Sequence, residues 1–219
     1  MSTDALYAAL RTLRNLKATE QDIQAISRNR ELLRKHAVQV AIVNHPQTPR
    51  ALAQTLIRQL FWQDLLQVSK NFRLAPQLRQ MAENMILDLM ETMTLGERLT
   101  LARIAGRGVI LTLRKEQNPR VIEALLLNPQ VVEEDLLVIT NSAETPPHVL
   151  SLVGRSPKWR VRYQVRLALI RNPNTPVFLT RGLLPDLLLR DLAGIVRIKT
   201  IPGPVRREAE RLLQERQRR

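Results

Sequence analysis

The chain has 219 residues, 44% hydrophobic and 25% charged, a balance that can bury roughly 70% of the unfolded surface and is too apolar for disorder. It has no cysteine, which excludes disulfides, thiolate zinc sites, cysteine-ligated iron–sulfur clusters and cysteine nucleophiles. Its formal net charge of +14 points to acidic partners. No run approaches the roughly 18 apolar residues of a membrane helix, and Met1-Ser2-Thr3-Asp4 lacks a basic segment leading into an apolar one, so a cytoplasmic protein is expected.

In chain order, helical periodicity covers residues 3–15, 20–27, 31–43, 49–60, 63–69, 76–91, 95–105 and 107–115, then 119–126, 133–140, 146–153, 157–170, 176–183, 187–196 and 204–217. Asn-Pro, Ser-Pro and Thr-x-x-Pro steps separate the runs. Thr48-Pro49, Ser156-Pro157 and Thr175-Pro176 read as helix starts, because proline at the first helical position needs no amide donor and the residue before it can cap. No stretch shows the two-residue alternation of a strand. Many of these helices are too short to persist alone in water and must stack on neighbours. With no Gly/Ser-rich linker, the expected fold is all-α: a single right-handed α-solenoid over 1–219, closed by a capping helix at 204–217 with a basic end running to Arg219.

The chain also repeats itself. Residues 31–83 lie over 158–210 without a gap, at an offset of 127: Pro46, Thr48, Pro49, Leu52, Leu60, Asp64, Leu65, Arg79 and Ala82 fall on Pro173, Thr175, Pro176, Leu179, Leu187, Asp191, Leu192, Arg206 and Ala209. The shared Pro-x-Thr-Pro at one phase marks an internal duplication.

The runs Val165-Arg166…Ala168-Leu169-Ile170-Arg171-Asn172-Pro173-Asn174-Thr175-Pro176 and His45-Pro46-Gln47-Thr48-Pro49 resemble bacterial HEAT-like repeats, particularly the leucine-rich repeat variant type. Weaker echoes stand at Leu127-Asn128-Pro129 and Thr145-Pro146-Pro147. The resemblance implies a helical solenoid serving as an interaction surface. The cysteine-bound iron–sulfur cluster known in the variant family does not carry over to a chain without cysteine. The size and basic charge are also similar to the HEAT-like DNA alkylation-repair glycosylases, whose aromatic–carboxylate cleft has no clear counterpart among these few aromatics.

The densest basic feature surrounds Pro157. On one continuous helix over 157–170, Lys158, Arg162 and Arg166 share a face, with Arg155 a turn earlier, Arg160 to the side and Arg171 beyond the end. This reads either as a partner-binding stripe or as an ordinary solvated face. The first copy has Glu31, Leu33, Lys35 and Gln39 at the positions of Lys158, Arg160, Arg162 and Arg166, so the fold does not require the charge. Trp159 and Tyr163, four apart, read as a buried seam or as a stacking platform. Aromatics are only 3%, too few for extended single-strand stacking.

Asp64, Asp191 and the cluster Glu133-Glu134-Asp135 read as first-turn acids that offset a helix dipole, not as catalytic or metal-binding groups. His36, His45 and His148 have no neighbouring ligand at metal spacing, and Gly106-Arg107-Gly108 lacks the features of a phosphate loop. The sequence thus suggests a non-enzymatic interaction module without cofactor or metal, binding an acidic protein through Arg155, Lys158, Arg160, Arg162, Arg166 and Arg171. The alternative is a nucleic-acid-binding protein using phosphate contacts, related to the alkylation-repair group. A third reading is self-association, with the acids between Glu116 and Glu144 meeting the basic stretch after them.

Overall fold

A computed structural model describes residues 3–218; Met1, Ser2 and the terminal Arg219 of the predicted basic end lie outside the described residues. The described residues are all α, with no strand, and the chain divides into two compact units, Met1–Met93 and Thr94–Arg219. No helix among the described residues is long and apolar enough to cross a membrane.

The first unit holds α1 (Thr3–Arg14), α2 (Glu20–Arg28), α3 (Arg30–Leu33), α4 (His36–Val43), α5 (Arg50–Leu56), α6 (Trp62–Lys70) and α7 (Pro76–Met90), with a 3-10 turn at Ile57–Gln59. The second holds α8 (Leu95–Ile104), α9 (Arg107–Leu113), α10 (Pro119–Leu126), α11 (Glu133–Asn141), α12 (Pro147–Arg155), α13 (Pro157–Arg160), α14 (Tyr163–Arg171), α15 (Val177–Leu183), α16 (Leu189–Arg197) and α17 (Gly203–Gln217), with a 3-10 turn at Leu184–Asp186. Within the second unit, α8 packs on α10 and α10 on α12, while α11 packs on α14 and α14 on α16. Gly154 of α12 lets α15 come close: a Cβ there would stand 2.5 Å from a methyl carbon of Leu179.

Shifted by 127 residues, α3, α5, α6 and α7 coincide with α13, α15, α16 and α17 at both ends, as do the two 3-10 turns. The register extends into the core. Val38, Ile42, Leu65, Val68 and Ala82 are fully buried, and so are Val165, Leu169, Leu192, Ile195 and Ala209. Burying each of the larger apolar side chains stabilises the fold by about 1.5–3 kcal/mol.

The Asn-Pro and His-Pro steps have a common physical role. Asn128 Nδ2 donates to the carbonyls of Ala102 (2.8 Å) and Ala105 (3.1 Å), finishing α8, while its Oδ1 accepts from Gln130 N–H at 2.8 Å. Asn172 does the same for α11, donating to Thr140 O and Ser142 O at 2.8 Å each and accepting from Asn174 N–H at 2.9 Å. His45, at the position equivalent to Asn172, accepts from Gln47 N–H at Nδ1, so its proton sits on Nε2, 3.1 Å from Asn15 O just past α1. Asn71, followed by Phe72 where the others have proline, likewise closes α4 by donating to Asn44 O at 3.1 Å. Each clamp occupies carbonyls that a helix C-terminus leaves without intrahelical donors.

Two predicted helices are broken. The runs 31–43 and 157–170 each consist of a single turn followed by a separate helix. Lys35 (φ −81°, ψ 119°) and Arg162 (φ −74°, ψ 120°) stand in extended conformation at the break. In the second copy Arg166 compensates for the lost ladder: its guanidinium donates to Arg160 O (3.3 Å) and Val161 O (3.2 Å). Lys158, Arg162 and Arg166 therefore do not share the face of one helix, and the i, i+4, i+8 stripe is corrected to a corner.

Candidate functional site

That corner runs from the end of α12 through α13 into α14. Arg155 is the last residue of α12, Lys158 and Arg160 lie on α13, and Arg162 is the N-cap residue of α14. All four are exposed. Arg155 lies over the Phe178 ring at 5.6 Å, and Lys158 Nζ is 4.2 Å from the Trp159 ring centroid. None of the four has a carboxylate within ion-pair distance among the described residues.

The other two predicted site residues are occupied internally. Arg166 has a side chain only 14% exposed; besides Arg160 O and Val161 O it bonds Asp186 O at 3.3 Å and stands 3.5 Å from Asp186 Oδ2. Arg171 is exposed and reaches Asp191 Oδ1 at 3.6 Å. Arg155, Lys158, Arg160 and Arg162 are thus brought within one short corner, and Arg166 acts as a strut beneath it. Trp159 is a seam residue, 2% exposed, with its indole N–H donating to Leu126 O at 3.1 Å. The Tyr163 hydroxyl donates to Asp191 and accepts from Leu188 N–H at 3.1 Å. Neither ring is available as a stacking platform.

A second polar motif was not legible in the sequence. Three times, the first residue of a helix reaches a carboxylate 28 residues later in the first turn of another helix: His36 to Asp64 (2.8 Å), Arg107 to Asp135 (2.5 and 3.1 Å) and Tyr163 to Asp191. Two of the aspartates also accept from their own helix start: Phe61 N–H at 3.3 Å for Asp64 and Val132 N–H at 3.0 Å for Asp135. The motif escapes sequence reading because histidine, arginine and tyrosine fill one structural slot. The acid's recurrence at the third helical position was the available signal.

Asp135 is the most buried of these acids, 1% exposed, with Arg114 Nη1 a further 3.5 Å from Oδ1. Burial pushes its carboxyl up, but the hydrogen bonds from Arg107 and Val132 N–H and the charges of Arg107 and Arg114 outweigh that and hold it below the ordinary carboxylate range. Burial, then the bond to Asp191, pushes the Tyr163 phenol above its ordinary value. These are structural latches: each donor and acceptor already has its partner. Among the described residues, no group of three or more His, Asp or Glu side chains is placed to hold a metal ion.

No protein-family model, curated protein or solved structure matches this chain. The corner's geometry and charge are the basis for the functional reading.

Proposed function

We propose that this chain is a non-enzymatic cytoplasmic interaction module built of HEAT-like, solenoid-type repeats, and that its second unit captures an acidic protein through Arg155, Lys158, Arg160 and Arg162, with Arg171 at the margin. The observation that carries this reading is a cluster of exposed cations that no carboxylate among the described residues pairs. Glu31 and Leu33 stand in the first copy at the positions of Lys158 and Arg160, where α3 forms with the same bounds. Folding does not use the added charge. Arginine suits capture of carboxylates because its planar fork makes charge-assisted, bidentate hydrogen bonds.

A second reading, nucleic acid, is favoured by the wider charge distribution. From Thr145 to Arg207 there are twelve lysines and arginines against Asp186 and Asp191 alone, and both acids are engaged internally. Fluorescence anisotropy separates the two, using a labelled polyglutamate peptide and a labelled DNA duplex over about 50 to 200 mM salt. The expected result is peptide binding that the double variant Arg160→Glu/Arg162→Glu abolishes while helical circular dichroism is unchanged. Undiminished binding by that variant sinks the proposal. Tight duplex binding that falls steeply with salt, without peptide binding, installs the second reading.

A further inference from the structure

On the second unit, α8, α10 and α12 pack side by side and leave a groove of about 620 Å3 lined by Leu99, Arg103, Arg120, Leu127, Leu152 and Arg155. Each helix supplies one arginine to it. Arg103 comes from the last turn of α8, Arg120 from the first turn of α10 and Arg155 from the end of α12. All three are exposed and none has a carboxylate within ion-pair distance among the described residues. Between them the surface exposes leucine: Leu127 is 71% exposed, Leu99 and Leu152 are partly exposed, and Ala124 and Leu126 are buried. Ser156 lines the groove too, so it runs directly into the corner at Lys158.

Resting on the acidic-partner reading above, we infer that this groove is where the partner docks, and that the partner presents an acidic peptide segment with apolar side chains interspersed among its carboxylates. Charge complementarity selects the acid: three guanidiniums, none in an ion pair among the described residues, surround the groove against the one carboxylate of Glu123. The leucine floor selects against a polyanion alone. A phosphate backbone gains little from Leu127, which is 71% exposed. Glu123 also lines the groove, where it repels a uniform run of phosphates but tolerates a peptide that places an apolar or basic residue opposite it. A leucine set into the floor and flanked by glutamates reaching Arg103, Arg120 and Arg155 combines a buried apolar anchor with a charged rim.

The test compares two labelled peptides, each about a dozen residues long, one alternating leucine with paired glutamates and the other with serine replacing every leucine. A single-stranded DNA of equal charge is the third probe. The expected result is that the leucine peptide binds roughly tenfold more tightly than the serine peptide, that Leu127→Gln erases this difference, and that Arg120→Glu weakens the leucine peptide by roughly tenfold. Both substitutions fall on exposed side chains, and Leu127→Gln changes no charge. Equal binding of the two peptides, or indifference to Leu127→Gln and Arg120→Glu, overturns the groove. If Arg160→Glu/Arg162→Glu still abolishes binding in that case, the acidic-partner reading survives without it. DNA bound more tightly than either peptide overturns both.

Discussion

The two copies of the internal repeat, 31–83 and 158–210, share helix bounds and core but differ in the polar slots between helices. Gln39 donates to Gln59 at 2.9 Å in the first copy; the equivalent positions in the second are Arg166 and Asp186, 3.5 Å apart as an ion pair. His36 and Asp64 become Tyr163 and Asp191. In both slots the contact is preserved and its chemistry is exchanged. At Glu31/Lys158 and Leu33/Arg160 the residue changes and neither new cation gains a carboxylate partner among the described residues. The copies carry seven cations and three acids against eleven and four, and part of the added charge in the second has no structural use.

The comparison can be strained first at its common core. Leu65→Ala and Leu192→Ala each remove a fully buried side chain, and each is expected to cost about 2–5 kcal/mol in urea unfolding. Costs that differ by more than that range's width would show that the copies share a backbone but not a packed interior.

The Asp135 latch is expected to matter less and to respond to pH. Asp135→Asn weakens the bonds to Arg107 and should destabilise the second unit by about 1–3 kcal/mol. The carboxyl's pKa is lowered on folding, so its contribution is present above the unfolded value of about 3.9 and is lost as pH falls through the lowered folded value. Acid unfolding followed by circular dichroism should show a wild-type advantage over Asp135→Asn at neutral pH that vanishes at the acid end. The smallest effect is expected for Arg166→Gln/Asp186→Gln, which gives the second copy the first copy's amide bridge. The double variant should lie within about 1 kcal/mol of the wild type, whereas Arg166→Ala alone, which strips donors from Arg160 O and Val161 O, should cost more. A double variant as damaged as the single one would mean that charge is required in that slot.

Much of the helix plan was legible because its punctuation is local. The predicted helix at 119–126 matches α10 at both ends, and the offset of 127 survives residue for residue in four helices and two turns. The breaks at Lys35 and Arg162 were not legible, since apolar spacing runs through both, and at Arg162 the compensation comes from the side chain of Arg166, which the spacing places on a surface stripe. The reading of Arg155, Lys158, Arg160 and Arg162 needed only their crowding in sequence. The 28-residue latches and the groove needed the fold, because both join residues from different helices, and the latches do not repeat a residue type on the donor side.

The side-chain clamps at the Asn-Pro steps bear on how such a chain can be cut or spliced. Asn172, at the end of α14, supplies the donors that terminate α11, and Asn128, after α10, does so for α8. A segment excised from loop to loop would therefore carry away the finishing residue of a helix left behind. The exchangeable module is not the helix pair visible between two prolines but an overlapping length of chain, in which every helix travels with the loop that closes it.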